Sequence, residues 1–115
     1  MFVQMRKMTV KEGYAEQVVE RFSKPGLIDQ QEGFVDSTVM VKKVPRGEEE
    51  VIVMIRWESE EAWKNWEKSD AHIAGHKANM GKPKPDYLLN VEVGRYEVKA
   101  VRKPEADSVT ATEGV

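Results

Sequence analysis

The two histidines of the chain, His72 and His76, stand four residues apart in "KSDAHIAGHK". On a helix that spacing puts both imidazoles on one face. There they could grip one metal ion, or one of them could ligate a haem iron. A zinc pair needs further ligands, and no HExxH pattern supplies them. Asp70 is close in sequence but projects elsewhere on the helix. Surface or packing roles for both rings stay open. His76 is the better ligand candidate, because Gly75 precedes it and Ala74 and Ala78 lie nearby. Small neighbours clear room for a flat macrocycle. A glycine inside a helix costs about 1 kcal/mol relative to alanine, so it invites a reason. Close helix packing is the other available reason.

Three tryptophans, Trp57, Trp63 and Trp66, fall within ten residues. Trp63 reads as core, the usual place for a large aromatic. Trp66 lies just before a bend that leads to His76, where an indole could pack on a planar ligand or simply on the core. Arg6 interrupts a half-apolar stretch and shares its face with Phe2, Gln4 and Met8. An arginine on such a face needs a carboxylate, a carbonyl or an anionic ligand. It is either a rim salt bridge or a group aimed into a pocket between sheet and helix. Lys77, Lys82 and Lys84 read as a solvated basic segment, alternatively as partners for ligand carboxylates such as haem propionates. Glu48, Glu49 and Glu50 read as a solvated turn.

The elements that must position these residues follow from periodicity. "MFVQMRKMTV" is extended, with apolar residues on both faces, so both faces want cover. "GYAEQVVERFSKPG" has helical spacing at Tyr14, Val18 and Phe22, and Pro25-Gly26 ends it. Residues 34–44 and 51–57 are close enough for a hairpin. Ser59 caps a helix that carries Glu60 and Glu61 at its positive end. Ser69 or Asp70 caps a second one, so two short helices meet at a bend. "YLLNVEVGRYEVKAV" is the last strand, with Leu89, Val91 and Val93 on one face. The order, strand–helix–strand–strand–broken helix–strand, predicts an α+β, ferredoxin-like βαββαβ domain over 1–101. Residues 102–115 are polar and aperiodic and predict a disordered tail. Helices would cover one sheet face only, so the apolar residues on the other face predict a homodimer.

The bulk properties exclude several classes. The chain has 115 residues, 40% hydrophobic and 33% charged, which suits one compact domain. A net charge of −2 does not indicate a nucleic-acid-binding surface. The absence of cysteine removes disulfides, thiol catalysis and iron–sulfur clusters, and it fits a reducing compartment. The N-terminus does not read as a signal peptide, and no apolar run approaches the roughly 20 residues of a membrane span. A cytoplasmic protein without a membrane partner is expected.

"ERFSKPGLIDQQEGF", "VMIRWESEEAWKNWEKSDAHIAGHK" and the βαββαβ order resemble the IsdG-type haem-degrading monooxygenases, in particular their HmoA-type branch. These belong to the antibiotic-biosynthesis-monooxygenase superfamily of dimeric α+β barrels. The resemblance runs from about Met1 to Ala100, and its specific part is Trp57 to Lys77. It implies that haem is both substrate and cofactor, that His76 is the axial ligand of its iron, and that Trp66 presses on the ring. It implies that Phe22 borders the pocket. A family asparagine on the first strand falls on Arg6, a departure that bears on distal hydrogen bonding and product. The implied reaction opens the porphyrin with O2 and electrons from an external donor and releases iron. No flavin or nicotinamide fingerprint is visible. The alternatives are a cofactor-independent monooxygenase of the same superfamily, a non-catalytic haem-binding protein, and a purely structural dimer module.

Overall fold

The computed structural model describes residues 1–104, so 105–115 of the expected tail lie outside the described residues. The elements are β1 (Phe2–Val10), α1 (Ala15–Ser23), β2 (Phe34–Val41), β3 (Glu49–Trp57), α2 (Glu60–Lys68), α3 (Asp70–Asn79) and β4 (Leu88–Glu97), with a 3-10 turn at Leu27–Gln30. The strands form one antiparallel sheet in the order β2-β3-β1-β4. Each helical connection therefore skips one strand, the split arrangement that the element order predicts.

Strand alternation sorts the side chains onto two faces. Phe2, Gln4, Arg6, Met8 and Val10 share one face with Val51, Val53, Ile55 and Trp57 of β3. The helices cover this face. Ala15 and Val18 of α1 bury against Met8, Val10, Val51 and Val53. Trp63 of α2 buries against Phe2 and Trp57, its ring 5.1 Å from that of Phe2. Trp57 is wholly buried, and truncating such a residue costs about 3–5 kcal/mol. The indole N–H groups of Trp57 and Trp63 are buried without acceptors among the described residues, and the Arg95 guanidinium lies 5.1 Å over the Trp63 ring. Gly33 has φ of +87°, and a Cβ there would lie 2.4 Å from that of Ala62. Glycine at this turn thus lets α2 sit close against the start of β2.

The opposite face carries Val3, Met5, Ile52, Met54, Met40 and Tyr96, and no helix among the described residues packs on it. Lys7 bridges Glu50 at 3.4 Å and Glu92 at 3.5 Å across this face. Arg56 grips both carboxylate oxygens of Asp36, its directly paired residue.

Two local readings change. The sequence groups Leu89 with Val91 and Val93 on one face, but Leu88 joins Val91 against the core, opposite Val10, and Leu89 is exposed. A register irregularity between Thr9 and Val10 shifts the alternation by one residue. Glu49 and Glu50 belong to β3 rather than to a solvated turn. The Glu49 carboxylate accepts hydrogen bonds from the Gly13 and Ala15 amides, both at 2.9 Å, and so caps α1 from across the fold.

Candidate functional site: a cleft under the third helix

Ser69 builds the bend between α2 and α3. Its backbone N–H and its hydroxyl both donate to the Trp66 carbonyl, at 3.0 and 2.7 Å, while its Oγ accepts from the His72 amide at 3.1 Å. One residue thus closes α2 and caps α3, which decides between Ser69 and Asp70 as the cap. The helix it launches is unusual. No residue of α3 is buried, and Ile73 is 41% exposed. A ten-residue helix is marginal alone and normally needs an apolar face packed on something. Here α3 leans on α2 and stands off the sheet.

The gap beneath it is a cavity of about 850 Å³, inside the range of small-molecule sites. Its floor is Arg6 and Met8 of β1 with Leu88 and Val91 of β4. Arg21 and Phe22 of α1 and Ile28 of the 3-10 turn form one wall, and Trp66 another. Ala71, His72, Gly75, His76 and Asn79 of α3 form the roof, and Lys82 to Pro85 complete the lining. All four residues singled out from the sequence, Arg6, Phe22, Trp66 and His76, therefore line one cleft.

The two histidines are not equivalent. His72 Nε2 lies 2.6 Å from Glu67 Oε2, and its ring meets Trp66 edge-on at 5.2 Å. His76 has no hydrogen bond or ion pair among the described residues. Its ring lies beside that of His72 at 6.3 Å and 21°, so the imidazoles run alongside each other rather than converging on one point. No cluster of three or more His, Cys, Asp or Glu suited to a metal ion occurs among the described residues. The arrangement suits one free imidazole acting on one ligand.

Gly75 answers the question its position raises. A Cβ there would meet nothing within 4 Å, so the glycine is not explained by helix packing. Arg6 is exposed into the cleft and has no ion pair among the described residues, so the rim salt bridge considered for it does not form. Trp66 is half-buried, packed on the Phe2–Trp57–Trp63 cluster on one side and lining the cleft on the other. Of the three candidate lysines, Lys82 and Lys84 line the cleft. Sequence reasoning missed Arg21, Ile28 and Asn79. Arg21 sits 5.4 Å over the Phe22 ring, and a cation beside that aromatic in the last turn of α1 was the available signal.

The model of the antibiotic biosynthesis monooxygenase family matches residues 1–78. The chain belongs to this family. It is 69% identical over 103 residues to heme-degrading monooxygenase HmoA of Bacillus subtilis (strain 168), covering 90% of this chain and 95% of that protein. A crystal structure of a putative antibiotic biosynthesis monooxygenase from Bacillus cereus superposes with a TM-score of 0.80 at 53% identity, over 90% of this chain and 96% of that one. The heme-degrader MhuD of Mycobacterium tuberculosis, solved with two hemes bound in its active site, shares the fold. Its TM-score is 0.65 at 21% identity, over 90% of this chain and 100% of that one. The ferredoxin-like α+β architecture is thus common to the chain and its structural relatives.

Proposed function

We propose that this chain is a haem-degrading monooxygenase. It would take haem as substrate and cofactor, open the porphyrin with O2 and electrons from a separate donor, and release iron. One observation carries the reading: an unpaired imidazole, a tryptophan bridging core and cleft, an aromatic wall and an unpaired guanidinium converge on one space that the protein leaves open. The close relationship to a protein named heme-degrading monooxygenase HmoA supports it. The fit is chemical as well as spatial. A Cβ at Gly75 would meet nothing within 4 Å, so the space beside it is open, and the unpaired His76 imidazole is the group that would hold the haem iron.

Bound haem supplies the redox chemistry, activating O2 at its iron and undergoing oxidation at its own macrocycle. The chain's residues position and shape it. His76 would hold the iron from α3. Trp66, backed by the tryptophan core, would press on the ring and shape it. Phe22, with Met8, Ile28, Leu88 and Val91, keeps water from the buried edge of the ring. Arg6 is the hydrogen-bond donor on the sheet side of the cleft, where the family resemblance implies an asparagine. Its five N–H donors and fixed charge act where an amide would offer one polar NH2 group.

The same reading makes the molecule a cytoplasmic homodimer joined through the helix-free sheet face. Each 100 Å² of apolar surface covered there contributes about 2.5 kcal/mol before the cost of association. Replacing His76 with alanine tests the site. The variant is expected to lose the axial-ligand signature in the haem spectrum while keeping its fold. A haem spectrum identical to that of the parent protein would remove His76 from its role.

A further inference from the structure

Glu67 and His72 each stand at a helix end that does not favour them. Glu67 is in the last turn of α2, where the helix dipole favours cations, and His72 is in the first turn of α3, where it favours anions. Helix stability therefore explains neither residue. Their contact does. His72 Nε2 lies 2.6 Å from Glu67 Oε2, a hydrogen bond that spans the Ser69 bend and ties the two helices together. Both residues are half-buried, whereas Lys68 and Asp70 in the same bend are exposed. The bond needs only an N–H at Nε2, which the neutral Nε2 tautomer and the imidazolium both offer.

His72 is also the middle member of a row. Its ring meets Trp66 edge-on at 5.2 Å and lies 6.3 Å from that of His76 on the other side. Trp66 and His76 are wall and roof of the cleft, and they sit on different helices. Because α3 buries no residue, packing on the sheet does not fix its tilt. The tilt matters because the helix is a lever. His76 follows Ser69 by seven residues, roughly 10 Å along the axis, so a tilt of about 10° at the bend moves it by about 2 Å. Misplacing a positioned group by about 1 Å can cost on the order of a hundredfold in rate.

We propose that His72 is a positioning residue for the haem reaction: anchored by Glu67, it fixes the Trp66 indole and the tilt of α3, and so sets where Trp66 and His76 stand relative to each other. A partly exposed pair of this kind contributes little to stability, so the brace acts through orientation. The role in the reaction rests on the proposed function, for the ring that the two groups meet. The brace itself does not require haem.

The test compares Glu67→Ala and Glu67→Gln with the parent in the full chain. Glu67 does not line the cleft, so its replacement removes no ligand contact, and glutamine keeps an acceptor for the His72 N–H. In the apo-protein, Glu67→Ala is expected to shift and broaden the Trp66 indole N–H signal in heteronuclear NMR and to weaken the NOE between the Trp66 and His72 rings. With haem bound, it is expected to slow Soret loss about tenfold while haem affinity changes less than about threefold, and to alter the ring-shape bands of the resonance Raman spectrum. Glu67→Gln is expected to restore most of each. A Glu67→Ala protein with the parent's Trp66 signal would overturn the brace, and so would equal losses in the two variants, which would assign the effect to charge. A changed Trp66 signal with the parent's rate and Raman bands would overturn the positioning role and leave the proposed function intact. Failure of the parent protein to bind haem would overturn the positioning role together with the proposed function.

Discussion

Gly75 offers a perturbation whose two consequences have opposite signs. It lies inside α3, where glycine is about 0.5–1 kcal/mol worse than alanine. A Cβ at this position would meet nothing within 4 Å, so Gly75→Ala brings no clash to offset the gain. Unfolding entropy of about 2.1 cal/mol/K per residue gives about 0.2 kcal/mol/K for a domain of this size. The substitution is therefore expected to raise Tm by about 2–5 °C. Part of the gain should appear as slower amide exchange within α3, because this helix has no buried residue and opens locally more readily than the sheet. Gly75→Leu has similar helix propensity but projects a branched side chain into the cleft. It is expected to keep the thermal gain and lose at least tenfold in haem affinity, read from a Soret titration beside differential scanning calorimetry. A stabilised Gly75→Leu protein with undiminished haem affinity would refute the idea that the glycine keeps space for the ligand. A destabilised Gly75→Ala protein would return the glycine to a packing role.

The ion pair on the open sheet face yields a pH prediction. Hydrogen bonds from Arg56, with the attraction of its charge, hold the Asp36 carboxyl below the usual carboxylate range against partial desolvation. A carboxylate with a depressed folded-state pKa stabilises the fold above its unfolded value near 3.9 and loses that contribution as pH falls through the folded-state value. The stability gap between the parent protein and Asp36→Asn should thus be level above about pH 5 and close below about pH 4, as urea melts across pH would show. The Asp36 side chain is 41% exposed, so the gap should not exceed about 1 kcal/mol. Met54, paired with Met5 and Thr38 on the same face, tests the dimer. Met54→Glu is expected to sediment as a folded 13.1 kDa monomer where the parent sediments as a dimer; an unchanged dimer would place the interface elsewhere.

Much of the positioning was legible because it depends on local chemistry. Ser59 announces one helix start and Ser69 or Asp70 the next, and the apolar residues on both parities of β1 announce a sheet with apolar side chains on both faces. Trp66 and His76 are tied to the cleft by short-range geometry, one just before the Ser69 bend and one two turns after it. What stayed hidden depends on partners distant in sequence. Glu49 reads as part of an acidic turn because its reward, the free amides of Gly13 and Ala15, lies 34 to 36 residues away. The exchange of Leu88 for Leu89 follows from an irregularity in the pairing with β1, which no pattern within β4 reveals. The helical stripe of Tyr14, Val18 and Phe22 excludes Arg21, so the pattern does not single it out. Only the stand-off of α3 turns its side of α1 into a cleft wall.

The most direct measurement is a haem titration of the purified apo-protein followed in the Soret region, then addition of a reductant in air with catalase present. Catalase matters because free peroxide bleaches haem without help from a protein. The expected result is saturation near one haem per chain, then loss of the Soret band with stoichiometric release of iron. A saturable complex whose Soret band persists with both ascorbate and a reductase system would make the protein a haem carrier. The absence of saturable binding would contradict the central claim and leave His76 an ordinary helix histidine.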